Sequence, residues 1–199
     1  RGSIAYEKRK IGDQFDIKLT IPSNIPLKSM QPFLMDVVTL QDGKISGNFH
    51  LGGNADKPEL TGSANITGAY FKIDYLNTYY KLNASIMADE TGFYTFKPSK
   101  LIDETGKNFA WVKLAVKHDY FTNWFLDLNI DSARNLKVLN TTEKDNSLYY
   151  GVGYADGNCR IYGPLDQISM DIRLKTRKNT LINLMYASVE ETSFGGGHV

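Results

Sequence analysis

Gly43-Lys44-Ile45-Ser46-Gly47-Asn48-Phe49-His50-Leu51-Gly52-Gly53 leads into Lys57-Pro58-Glu59-Leu60-Thr61-Gly62-Ser63-Ala64-Asn65-Ile66-Thr67-Gly68. The arrangement returns as Gly153-Tyr154-Ala155-Asp156-Gly157-Asn158-Cys159-Arg160-Ile161-Tyr162-Gly163-Pro164-Leu165, then Ile168-Ser169-Met170-Asp171-Ile172-Arg173-Leu174. In both copies Gly-Asn is followed by two residues, Leu or Ile, one residue and Gly. Both then pass a proline and enter an alternating strand. A chain built this way stacks similar strand pairs, which makes an elongated sheet rather than a catalytic cleft. The glycines read as bend points where such a sheet rolls.

Outward from these copies, strand signals dominate. Phe15–Ile21, Tyr80–Ile86, Ala110–Val116, Trp124–Ile130 and Ile168–Leu174 each alternate apolar and polar residues. Period-two alternation gives every strand one apolar and one polar face. Turns are expected at Asp42-Gly43, Glu90-Thr91-Gly92, Asp103-Glu104-Thr105-Gly106 and Asp156-Gly157, because Asp-Gly and related pairs supply the positive φ of tight hairpins. Their short spacing predicts an antiparallel meander. The fold class is therefore all-β: an elongated, strongly curved, antiparallel-rich sheet with one short helix. That helix is expected over 29–40, where Phe33, Leu34, Val37 and Val38 follow Pro32 at helical spacing. A helix so short must lie on apolar surface, at an open edge or end of the sheet.

Composition narrows the function. The 199 residues hold 23 Lys and Arg against 22 Asp and Glu, so the net charge of +1 gives no broad case for nucleic acid. The single cysteine, Cys159, excludes an intrachain disulfide and a multi-cysteine metal site, and reads as a packing residue. No apolar run approaches the roughly 20 residues of a membrane span. The chain opens on Arg1 rather than Met, so one segment, 1–199, of a longer protein is expected, with a flexible tail over 190–199. There is no nucleophile elbow, phosphate loop or metalloprotease helix. No catalytic residue, cofactor or metal is expected, and the chain is not expected to be an enzyme. His50 and His118 are read as polar-face or edge histidines, and Asp103, Glu104 and Lys107 as a solvated hairpin tip.

Pro26-Leu27, Pro32-Phe33-Leu34, Gly43–Gly47, Lys57–Gly62, Ile66–Ile73, Leu76–Tyr80, Leu101–Gly106, Lys117–Phe121, Leu139–Thr141, Tyr149–Gly157 and Ile161–Pro164 occur in an order that resembles the TamB family of translocation and assembly module proteins. That family lies within the AsmA-like group of bacterial envelope proteins, and the flavour is that of its Bacteroidetes members. The resemblance covers about Ile25 to Leu184. It implies a β-taco, a curved sheet whose concave face is hydrophobic and open along one side. It also implies a periplasmic segment of a protein anchored in the inner membrane outside this chain. The implied function is carriage of phospholipid between inner and outer membrane. The implied partners are phospholipid acyl chains and an outer-membrane barrel of the assembly machinery, engaged through parts outside this segment.

Shared strand faces nominate the groove lining as Leu82, Ile86, Val112, Leu114, Val116, Leu126, Leu128, Ile130, Ile168, Met170, Ile172 and Leu174. Each buried CH₂ of an acyl chain gains about 0.8 kcal/mol, and small residues such as Ala64, Ala84 and Ala88 leave room for one. Alternation alone does not separate such a groove from a dry core packed against itself. Two rivals come from other classes. Open sheet edges suit a scaffold for outer-membrane protein or autotransporter assembly by strand addition. Exposed aromatics suit a carbohydrate-binding or adhesin module, although Tyr79-Tyr80, Tyr149-Tyr150, Trp111, Trp124 and Phe125 are spread along the chain rather than clustered.

Overall fold

A computed structural model describes residues 14–34 and 37–185. The strands are β1 (Ile17–Pro26), β2 (Val38–Gly53), β3 (Pro58–Ile73), β4 (Thr78–Asp89), β5 (Gly92–Thr95), β6 (Ser99–Asp103), β7 (Phe109–Asp119), β8 (Thr122–Thr141), β9 (Tyr149–Pro164), β10 (Ser169–Thr176) and β11 (Leu181–Leu184). They form one antiparallel sheet in the order β1-β2-β3-β4-β5-β7-β8-β9-β10. β6 bridges β4 and β7, and β11 pairs with β9 beyond the end of β10. The all-β, curved-sheet class expected from the alternation is what the chain adopts. The expected tail over 190–199 lies outside the described residues.

Register places the apolar residues of neighbouring strands on one face. Leu114, Leu128, Ile161 and Met170 form one cross-strand row, and Val112, Ile130, Cys159 and Ile172 form the next. The opposite face is polar. There Arg160 forks onto Asp127, with Nε to Oδ1 and a terminal nitrogen to Oδ2 both at 3.0 Å.

The sheet rolls closed at one end, where β4 begins and β8 finishes. Tyr80 donates its hydroxyl hydrogen to the carbonyl of Lys137 at 2.7 Å, and Asn77 Nδ2 donates to the carbonyl of Asn140 at 2.7 Å, so β4 touches β8 across the concave side. Tyr80, Leu101, Ala110, Ala133 and Leu136 pack there as a dry core. Burial pushes the Tyr80 phenol up to about 12. A second core, Leu27, Leu40 and Ala69, adjoins it through Phe71 and Leu82, which border both.

Rolling requires bends, and the bends are bulges. The β3–β4 register slips between Ile66 and Ala69 at Gly68, whose φ of 63° is left-handed and natural for glycine. Gly68 N–H donates to Asn83 Oδ1 at 2.6 Å. On β8 the register slips between Ile130 and Ala133 and again before Leu136, opposite Gly157. The amides freed there are captured from β9: Ser132 N–H by Asn158 Oδ1 at 2.8 Å and Asn135 N–H by Asp156 Oδ1 at 2.7 Å. Gly157 has φ 136°, and a side chain there would collide with the backbone oxygen of Arg173. The second Gly-Asn copy is thus a bend with its own hydrogen-bond acceptors.

Three local expectations are corrected. Asp42-Gly43 and Asp156-Gly157 are not hairpin turns. Both lie inside long strands whose pairing continues on either side, and Asp42-Gly43 is itself a bulge in β2. The helix over 29–40 does not form. Leu27–Phe33 is a 3₁₀ turn with Pro32 inside it and no side-chain cap, and Val38 already belongs to β2. β-branched Val38 favours extended backbone, and Gln31 ties the turn to β2, donating to the Val38 carbonyl at 2.9 Å and accepting from Leu40 N–H at 2.7 Å. The turn still lies on apolar surface, burying Leu27 against Leu40 and Ala69.

Candidate functional site: a half-covered apolar lane

From the closed end, the inner face runs along β7 from Ala110, which is 0% exposed, through Val112, Leu114 and Val116 to His118. At about 3.3 Å per residue this is some 26 Å. Between its ends the lane is neither covered nor bare. Val112, Leu114, Val116, Leu126, Leu128 and Ile130 are half-buried, as are Leu82 and Ile86 on β4. Ala64 and Ala88 are buried and small. Those eight nominated residues are brought onto one continuous surface. Ile168, Met170, Ile172 and Leu174 share its side of the sheet but stand at the edge, 41%, 60%, 55% and 44% exposed.

An aromatic cluster caps the far end. The His118 ring stacks on Phe121 at 4.4 Å and meets Trp124 edge-on at 4.9 Å and Phe93 at 5.8 Å. Phe121 N–H donates to His118 Nδ1 at 3.2 Å, which leaves the proton on Nε2. Nε2 is buried and has no partner among the described residues. His118 is therefore not on the polar face, as expected from its type. Its parity with Val116 turns it inward, a signal present in the alternation.

Burial holds the His118 imidazole below its ordinary range, against a weaker opposite pull from Asp89 and Asp119. The unfolded chain takes up this proton near pH 6.5, before the folded chain does. The stability tied to His118 is complete above that pH and is lost as pH falls through the folded value. His118→Phe should flatten the unfolding midpoint between about pH 7 and 5, measured by urea titration at each pH. An unchanged slope would contradict a neutral buried ring.

Two further expectations meet the structure differently. Asp103 is not solvated: it is 1% exposed, whereas the Glu104–Lys107 part of the tip lies in water. Cys159 is half-buried on the inner face and burial pushes its thiol up, in keeping with a packing role. His50 pairs on the surface with Asp16 at 2.8 Å.

The concavities elsewhere are shallow. One is lined by Asn65, Thr67, Asn83, Ser85, Lys97 and Trp111 among others, and Trp111 is the one aromatic ring lining it. A sugar held there would have amides beside it but no second ring. Other aromatics pair with each other within the sheet, as Tyr70 with Tyr79 and Phe71 with Tyr80 do. No protein-family model, no curated protein and no solved structure matches the chain.

Proposed function

We propose that this chain is a periplasmic segment of a longer envelope protein, and that its inner lane holds or passes the acyl chains of phospholipid moving between inner and outer membrane. The observation that carries this reading is the division of one apolar face into a dry core and a half-covered lane. A sheet built only to bury its apolar face would cover Leu114 and Leu128 as completely as Leu101 and Leu136. Here the small side chains of Ala64 and Ala88 lie buried among larger, half-exposed ones, and the lane is longer than the roughly 15 Å that one leaflet of a bilayer's hydrocarbon occupies. An acyl chain laid along it would gain about 0.8 kcal/mol per buried CH₂. The TamB-like order of motifs supports the same reading.

The test is a photocrosslinking scan in cells. A photoreactive residue at Leu114, Leu126 or Ile130 should capture phospholipid, while the same residue at Lys113 or Asp127, on the polar face, should not. Equal capture from both faces, or none from the lane, would sink the proposal.

A further inference from the structure

Among the described residues β10 is the outermost strand on its side of the sheet, and all 8 of its residues are exposed. The edge at the other side is blunted: β1 contains Pro22 and Pro26, and its register breaks between Ile21 and Ile25. β10 has no Pro, no Gly and an unbroken register from Ser169–Tyr162 to Thr176–Ala155. One residue further, Arg177 N–H donates to the Tyr154 carbonyl at 2.8 Å. Ladder alternation then turns the backbone groups of the odd-numbered residues toward β9. The N–H and C=O of Met170, Ile172 and Leu174 point off the sheet, unpaired among the described residues, and their side chains stand on the bare apolar side.

We propose that β10 pairs with β10 of a second copy of this chain, antiparallel about a two-fold axis at Ile172. In that register Asp171 of each copy stands opposite Arg173 of the other, twice by symmetry. On the apolar side Met170 meets Leu174 and Ile172 meets Ile172, and each of these pairs can exchange two backbone hydrogen bonds. Of the neighbouring registers that keep the faces matched, one sets Asp171 against Asp171 and the other sets Arg173 against Arg173 beside two Asp171–Lys175 pairs, so the register at Ile172 is the one of the three with opposite charges and no like-charge pair. This self-complementarity favours a second copy over an unrelated strand. The two apolar faces then continue into each other across the axis.

The 199-residue chain should show a reversible monomer–dimer equilibrium by sedimentation velocity across concentration. Ile172→Pro removes an N–H that faces away from β9 and should raise the dissociation constant at least about tenfold with the sheet's circular dichroism unchanged. Asp171→Arg sets two arginine pairs against each other and should weaken the dimer about tenfold. The double swap D171R/R173D restores opposite charges in the same register and should recover most of that loss. A chain monomeric at its highest soluble concentration overturns the proposal, including one whose β10 instead captures a strand of another protein. So does a dimer indifferent to Ile172→Pro, or a double swap that fails to recover. None of these outcomes depends on lipid.

Discussion

Leu128→Arg should abolish lipid capture from the lane and leave the sheet folded. Leu128 lies between Leu114 and Ile161 in the cross-strand row and is half-buried. An arginine there lays its methylene stem along the apolar surface and lifts its guanidinium to water, as long cationic side chains do at half-covered sites. The fold should lose no more than about 1–2 kcal/mol. An acyl chain in the lane would have to desolvate that guanidinium or leave, and the cost of burying an unpaired charge far exceeds the gain from a few methylenes. Capture from a photoreactive residue at Ile130 should therefore drop at least tenfold. The urea midpoint is measured alongside it. If Leu128→Arg unfolds the chain, the face is a packed core and the lane reading fails. If capture persists in a folded variant, lipid sits elsewhere.

The largest loss of stability should come from Asp103→Ala. The carboxylate is 1% exposed and accepts four hydrogen bonds. Oδ1 accepts from Thr105 N–H at 3.1 Å and Thr105 Oγ1 at 2.5 Å, and Oδ2 from Asn108 Nδ2 at 2.9 Å and Lys137 N–H at 3.1 Å. Three of these shape the turn between β6 and β7. The bond from Lys137 ties that turn to β8, beside the carbonyl that receives Tyr80. Alanine removes the acceptor shared by the half-buried Asn108 Nδ2 and Lys137 N–H and by the Thr105 turn, and the loss should be about 3–4 kcal/mol by denaturant unfolding. Asp127→Ala removes an outer-face pair with Arg160 and should cost under about 1 kcal/mol. Equal losses at the two positions would mean that Asp103 does not hold the closed end together.

Much of the sheet was legible in the residues. Alternation in Ala110–Val116 and Trp124–Ile130 assigned both faces, and the register on β7 and β8 keeps those faces together. Glu90-Thr91-Gly92 reads as a turn, and β4 and β5 meet there through Asp89 and Gly92. Asp42-Gly43 and Asp156-Gly157 carry the same local chemistry, but the first is a bulge in β2 and the second lies opposite the bulges of β8. A positive-φ glycine serves a hairpin or a bend equally well, and long-range pairing decides which. Val37 and Val38 fit an apolar helical stripe and a strand start alike until β3 supplies a partner for Val38.

By itself the sequence determined the all-β class, the single apolar face of each strand and the absence of any strong charge bias. These follow from side-chain period and composition, which are local properties. Only the tertiary structure decided how that face is used. Leu101 and Leu128 look alike in a strand pattern, yet one is buried where β4 curls onto β8 and the other is half-covered where the sheet stays open. Asp103 looks like any turn carboxylate until the roll brings Lys137 to it. Ile172 looks like any lane residue until the strand order leaves β10 with no neighbour beyond it among the described residues. Burial is set by which strands the bends bring together, and that distance along the chain is too long for alternation to encode.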